Sequence, residues 1–374
     1  MNIAVNARFL LKDRLEGLGR FSHETIQRLI QQHPEHTFHL YFDRPYDQQF
    51  IYGDNVVPHV LFPPARHPYL YPIWFDWAVA YRLKKDKADV FYSPDGFLCL
   101  RTQVPSLAVI HDLAFEHFPQ YVSAAGVKFY KSYFPRYARK AARIATVSEY
   151  SKADIVKTYG IAESQIDVVY NGVSETFAPA SAEVQQATRA QFSEDKPYFL
   201  YVGALQPRKN IVHLLKAFDR LKASGDYPHQ LVLVGRDAWQ NEEMKSVFEA
   251  MQFKSEVRFT GRVSERDLIA LLGSATALCY LPYFEGFGLP VAEAMRCGTP
   301  VITSPVSSLP EVGGDAALYA EPEDVDAIAQ QMQKLASDEV LRASLAQKAL
   351  VQASQFTWEK TADLVWQSIV SILP

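Results

Sequence analysis

Short apolar runs rich in β-branched and aromatic residues alternate, along nearly the whole chain, with longer segments whose apolar positions recur every three or four residues. This ordering predicts parallel strands joined by crossover helices. In the first half, strands are expected at 2–6, 38–42, 56–62, 90–93, 107–111 and 144–148, and helices at 20–32, 72–84, 127–142 and 149–159. The second half repeats the plan, with strands at 198–202, 230–234, 257–259, 277–281 and 301–303 and helices at 211–222, 264–272, 291–296 and 324–336. The helix after Asn210 is well marked, because Asn is a good N-cap and Ile211, Leu214, Leu215, Phe218 and Leu221 share one face. Ser264 and Asp267 have capping-box spacing. A last helical pattern at 357–372 carries Trp358, Leu364 and Val365 near one stripe.

Between the halves, residues 174–195 hold Pro179 and many Ala, Gln, Ser and Glu, lack a periodic core, and follow the Asn171-Gly172 turn signal. The expected organisation is therefore an α/β domain at 1–176, a linker at 177–194, a second α/β domain at 195–356 and a closing helix at 357–374. A chain of 374 residues is too long for one ordinary core, which agrees with two domains. The net charge of −4 offers no surplus of cations for nucleic acid, so no nucleic-acid partner is expected. Cys99, Cys279 and Cys297 are too few and too scattered for a disulfide framework or a metal knuckle, which points to a cytoplasmic protein. No run of eighteen apolar residues occurs, so any membrane contact is expected to be peripheral, at the inner face.

The densest chemistry lies in the run from Tyr283 to Met295, which reads Tyr-Phe-Glu-Gly-Phe-Gly-Leu-Pro-Val-Ala-Glu-Ala-Met. Gly286 and Gly288 let backbone turn close to a ligand, Pro290 suits the first helical position and Gly298 the stop. A helix start after glycines presents N–H groups and partial positive charge to a phosphate. Glu285 in the loop is placed to accept from sugar hydroxyls. Glu293 is expected in the helix's first turn, near a ribose diol or simply complementing the dipole.

Three more segments follow predicted strands, where open α/β sheets place ligands. Arg208 and Lys209, after Val202-Gly203, precede a helix start that repels cations unless an anion lies between; two solvated loop charges are the alternative. Glu16-Gly17-Leu18-Gly19-Arg20 opens the first helix, and Gly17 and Gly19 serve either a phosphate approach or a tight turn. His111-Asp112 ends the 107–111 strand, with His111 either structural or functional. Asp324-Val325-Asp326 mimics a metal-binding run but opens a helix after Pro322, and is read as dipole complementation.

Glu285 and Glu293, with seven residues between them, resemble the E-x₇-E motif of retaining, nucleotide-sugar-dependent transferases. With Gly17-Leu18-Gly19-Arg20-Phe21, His111-Asp112, Val147-Ser148-Glu149-Tyr150-Ser151, Asn171-Gly172-Val173 and Pro207-Arg208-Lys209-Asn210 in this order, the chain is similar to glycosyltransferase family 4. The resemblance implies the GT-B architecture: two Rossmann-like parallel-sheet domains facing a central cleft, with the C-terminal helix crossing back to the first. It implies that Glu285 holds hydroxyls of the transferred sugar and that Gly286, Phe287, Gly288 and Leu289 give amides to sugar and phosphate. Glu293 would bind the ribose, and Arg208 and Lys209 would stabilise the departing diphosphate. Gly17 and Gly19 would approach the phosphates, His111 would lie beside the reacting sugar, and Val263 would read the base through main chain. Many relatives carry Arg after the glycine matching Gly203, where this chain has Ala204, so the clamp leans on Arg208 and Lys209.

The activity so implied is transfer of a hexose to a glycan or lipid-linked acceptor hydroxyl with retention, in polysaccharide or glycoconjugate synthesis and without a metal. GDP-mannose is the favoured donor by resemblance to bacterial mannosyltransferases, and a UDP-hexose is second. A glycosidase, a sugar-nucleotide epimerase and a non-catalytic nucleotide-sugar-binding subunit are the rival readings. The 127–142 helix has Tyr130, Tyr133, Phe134, Tyr137 and Ala141 on one stripe and Lys128, Lys131, Arg136, Arg139, Lys140 and Arg143 mostly elsewhere. That pattern fits either a core helix with a solvated basic face or a weak peripheral contact with an anionic membrane.

Overall fold

The computed structural model describes residues 1–12, 15, 17–67, 69–236 and 242–373. The chain divides into two compact units, Met1–Gly172 with Thr357–Pro374, and Val173–Phe356. Among the described residues the first unit holds a parallel sheet of β1 (Asn2–Asn6), β2 (Thr37–Phe42), β3 (Val56–Val60), β4 (Val90–Ser93), β5 (Ser106–Val109), β6 (Arg143–Thr146) and β7 (Ile166–Val168). Its order is β3-β2-β1-β4-β5-β6-β7, so the winding direction reverses between β1 and β4. The second unit holds β8 (Tyr198–Val202), β9 (Gln230–Val234), β10 (Val257–Gly261), β11 (Ala277–Tyr280), β12 (Val301–Thr303) and β13 (Ala317–Tyr319). They run β10-β9-β8-β11-β12-β13, all parallel, with the reversal between β8 and β11. Helices cover both faces of such sheets, which is why β8 and β11 read as unbroken apolar runs, β4 and β9 do so but for Ser93 and Gln230, and all four are buried throughout.

Several elements depart from expectation for identifiable reasons. The 177–194 stretch contains a helix, Ala182–Phe192, whose Ser181 cap accepts from the Val184 N–H; its one buried residue is Thr188, so it carries no apolar stripe to read. The edge strands β7 and β13, absent from the prediction, have three residues each. Helix Glu339–Ala353, also unforeseen, is capped by Asp338 and buries only Leu345, Ala349 and Ala353. The helix expected at 72–84 is present, but as Tyr71–Ile73 and Ala80–Lys85 around a π-helical turn at Trp74–Val79.

Helix Ala124–Lys140 settles into the core of the first unit. Phe129, Phe134, Tyr137 and Ala138 are buried, with Tyr130 and Tyr133 packed against the same cluster. Three of its basic residues bind within the chain: Lys140 Nζ donates to the Thr102 carbonyl at 2.5 Å, Lys131 pairs with Glu116, and Arg136 lies over Tyr133, while Lys128 and Arg139 are exposed. The closing helix, Trp358–Val370, packs on Leu18–Gln32, where Arg28 pairs with Glu359 at 2.8 Å and His33 stacks on Trp366 at 3.6 Å. Gly172 is fixed by this crossing, since a Cβ there would lie 2.2 Å from the Trp358 nitrogen. Cys99, Cys279 and Cys297 are free and buried.

Candidate active site

Strands β8 and β11 are neighbours at the point where the second sheet reverses, and the loops after them converge. After β8 the chain passes Gly203 (φ 146°) and a 3-10 turn, Pro207–Lys209, before helix Ile211–Ser224. After β11 it passes Glu285 and Gly288 (φ 98°) before helix Leu289–Arg296. Gly288 is required twice over, because a Cβ would also sit 2.7 Å from the Leu309 side chain. The two loops are bound together: the Tyr283 N–H donates to the Arg208 carbonyl at 3.0 Å and the Asn210 amide to the Leu281 carbonyl at 3.0 Å. Asn210 precedes its helix as expected, yet in left-handed conformation, with its side chain spent on the Leu281 and Pro322 carbonyls and not on capping.

Glu285 is the hub. Its Oε1 pairs with Lys209 Nζ, accepts from the Tyr280 hydroxyl at 2.8 Å and lies 3.4 Å from Arg208, whose guanidinium also donates to the Phe284 carbonyl. Lys209 donates in turn to the Tyr280 oxygen at 2.6 Å. Burial alone would raise the Glu285 pKa, but the adjacent Lys209 and Arg208 charges and the two side-chain hydrogen bonds hold it below its ordinary value, so the carboxylate is ionised. Tyr280 and Tyr201 are pushed well above the phenol range, first by burial and then by the Glu285 charge, and remain neutral. A third loop clamps the hub: the Glu285 N–H donates to Ser307 Oγ at 3.0 Å, Ser308 Oγ to the Glu285 carbonyl at 3.0 Å and Ser304 Oγ to the Pro282 carbonyl at 2.8 Å.

The arrangement is thus one carboxylate beside two cations at a sheet switch point, next to a helix start. It suits an anion with a hydroxyl-bearing neighbour. Arg208, Lys209 and Glu285 come together, with Gly203 and Gly286 to Gly288 in the flanking loops and Leu289 opening the helix; Phe287 is buried with its ring edge-on to Phe356 at 5.3 Å. The helix starts at Leu289, which puts Pro290 second and Glu293 fifth, so Glu293 lies in the second turn and not the first. Val263 follows β10, an edge strand separated from β8 by β9. Tyr280 and the serines at 304, 307 and 308 were not foreseen: a strand tyrosine reads as core, and Ser307 owes its place to a left-handed backbone (φ 50°) that no local pattern announces.

In the first unit, Gly17 (φ 47°) precedes helix Leu18–Gln32 and Gly19 is buried inside it, while Glu16 lies outside the described residues. His111, after β5, stands with Phe21 edge-on at 4.8 Å, so the Gly17–Phe21 segment and His111 are neighbours. Its Nε2 lies 2.9 Å from the Pro94 carbonyl and its own carbonyl accepts from Ser151 Oγ at 3.1 Å. Burial lowers its pKa, making neutral imidazole the form at pH 7; the carbonyl partner then assigns the proton to Nε2 and the lone pair to Nδ1. Beside that sheet's own switch point, Arg8 and Asp95 form a buried pair at 2.6 Å.

Among the described residues, His39, His59 and Asp86 bring three ligand atoms within 4.8 Å of one another. Arg82 already bonds Asp86 at 2.6 Å and reaches His59 at 3.2 Å, so a cationic group occupies that corner. Asp324 caps helix Val325–Ser337 through the Ala327 N–H, and Asp326 pairs with Arg220 at 3.0 Å.

Residues 15–177 match the family described as Glycosyltransferase Family 4, and 184–352 match Glycosyl transferases group 1. The chain is 30% identical over 360 residues to O-antigen chain mannosyltransferase B of Escherichia coli, covering 93% of this chain and 94% of that protein. It is 29% identical to O-antigen chain mannosyltransferase RfbU of Salmonella typhimurium, over 68% and 67% of the two chains. Among solved structures, Anabaena Alr3699/HepE in complex with UDP and glucose superposes with a TM-score of 0.78 at 18% identity, covering 99% of this chain and 100% of that one. WaaG, a glycosyltransferase involved in lipopolysaccharide biosynthesis, gives 0.74 at 18%, covering 97% and 99%. The fold is the GT-B architecture, and the family models and relatives support a nucleotide-sugar-dependent glycosyltransferase. The chain belongs to glycosyltransferase family 4.

Proposed function

We propose that this enzyme transfers mannose from GDP-mannose to a hydroxyl of a growing surface polysaccharide or lipid-linked glycan, with retention of anomeric configuration. The carrying observation is the cluster of Arg208 and Lys209 on Glu285, which places two cations against one carboxylate where the sheet reverses. Glu285 orients the sugar hydroxyls, and the surplus positive charge stabilises the diphosphate as it departs. Protein cations fill the role a divalent ion has elsewhere, so the reaction is metal-independent. The departing diphosphate takes the acceptor proton on the same face. Amides from Gly286 to Leu289 serve the phosphates and sugar, Glu293 the ribose and main chain at Val263 the base. For the first unit, on resemblance alone, amides at Gly17 and Gly19 touch phosphate and neutral His111 touches the sugar.

The mannosyltransferase names of the relatives support the sugar choice. Thermal-shift measurement should show a larger rise with GDP and GDP-mannose than with UDP and its hexoses. Stabilisation by UDP-glucose alone would replace the donor with a UDP-hexose. NMR of the product should show the donor's anomeric configuration, and an inverted product would remove retention. Turnover should survive chelator treatment, whereas its abolition and rescue by a divalent ion would refute metal independence.

A further inference from the structure

Helix Ala124–Lys140, the sequence candidate for a lipid contact, turns its aromatic residues inward. A different helical segment of the first unit turns them outward. Tyr69, Ile73, Trp77 and Tyr81 recur every fourth residue and are 76%, 44%, 61% and 67% exposed, while Trp74, Phe75, Val79 and Leu83 are buried behind them. Four-residue spacing drifts around a regular α-helix, and the wider π turn at Trp74–Val79 takes back part of the drift, keeping a row. Trp74 Nε1 donates to the Leu61 carbonyl at 3.3 Å, which holds the 83% exposed Phe62 in an adjoining segment.

The charges of this region are sorted. Arg66, Lys84, Lys85 and Lys87 are exposed, and the Arg101 guanidinium lies 4.0 Å over the Trp77 ring. The acids between 57 and 87 are Asp76, which accepts from the Leu100 N–H at 2.7 Å, and Asp86, which is bonded to Arg82 and Tyr41. Just beyond, the exposed Asp89 accepts from the Asn2 N–H at 2.7 Å. Over residues 66–87 what faces outward is therefore apolar and positive, in a chain whose net charge is −4. Trp and Tyr favour the boundary between water and lipid, and cations beside them favour anionic headgroups.

We propose that the Tyr69–Ile73–Trp77–Tyr81 ridge, with Arg66, Lys84, Lys85 and Lys87, docks the enzyme on an anionic lipid bilayer. Rings enter the headgroup region while the lysines meet lipid phosphates. The inference rests on exposure and charge, not on the donor site. It is tested by co-sedimenting the full chain with phosphatidylcholine vesicles, with and without phosphatidylglycerol, at low and high salt. The wild type should pellet with the phosphatidylglycerol vesicles at low salt and be released by high salt. The Trp77→Ser/Tyr81→Ser and Lys84→Glu/Lys85→Glu double variants should each bind at least about tenfold more weakly. GDP-induced thermal stabilisation should be unchanged in both variants, showing that they fold. Failure of the wild type to pellet at low salt, or equal binding by the variants, would overturn the proposal. So would a dimer in sedimentation equilibrium that dissociates on Trp77→Ser, since a second copy would then be the occupant.

Discussion

Each sheet reverses its winding at one point, and at each reversal an arginine meets a carboxylate, but the two sites are built to opposite ends. In the first unit Asp95 is saturated: it accepts from Arg8, Asn6, Ser93 and the Phe97 N–H. The Arg8 guanidinium lies within 5.5 Å of the rings of Phe9, Tyr71, Phe75 and Phe97. Charge is matched one to one and enclosed by aromatic carbon. In the second unit two cations share one carboxylate, and the side chains of Arg208, Lys209 and Glu285 stay 19%, 13% and 13% exposed. Matched charge under an aromatic cover is costly to break. A surplus left at a helix start has something to offer an anion.

Removing one side of each site should separate these roles. Asp95→Asn leaves Arg8 buried without its counter-charge and should cost about 3–5 kcal/mol of unfolding free energy in the first unit, read by denaturant melts. Nucleotide binding by the folded fraction should be retained. Lys209→Ala should cost less stability than Asp95→Asn, because Arg208 still faces Glu285, but lower turnover on the order of 10²–10³-fold, the scale of one charge-stabilising contact. A large stability loss without a turnover loss would make the second site structural too. Tyr280→Phe keeps the ring and removes the hydroxyl linking Lys209 to Glu285; turnover should fall about tenfold, as for a hydrogen bond to a charged group. The mildest effect concerns pH. The folded-state pKa of Glu285 lies below the ordinary 4.5, so its ionised form adds stability that is present above that value and lost as pH falls toward the folded pKa. The stability gap between wild type and Glu285→Gln should therefore be constant near neutrality and narrow on acidification below 4.5.

The parts of this contrast legible in the sequence were those with a local signature. Strands β1, β4, β8, β9 and β12 fall where short apolar runs sit between turn residues, and the Ser264 cap binds the Asp267 N–H as its spacing implies. Arg208, Lys209 and Glu285 were legible because cations before a helix and a carboxylate among glycines are costly without a purpose. Tyr280 was not, since its value comes from a partner 71 positions away. Asp95 and Arg8 were missed likewise, being 87 positions apart. The outward turn of Trp77 depends on which side of its helix meets the sheet, and a helix rich in aromatics all round conceals that choice.

The first unit both opens and closes the chain, because Trp358–Val370 lies on Leu18–Gln32 and Trp358 seats against Gly172. On the ribosome, the intervening unit has its whole sequence available before the earlier one receives its last helix. Domains commonly mature in order of synthesis; here the second unit has its whole sequence while the first still lacks Trp358–Val370.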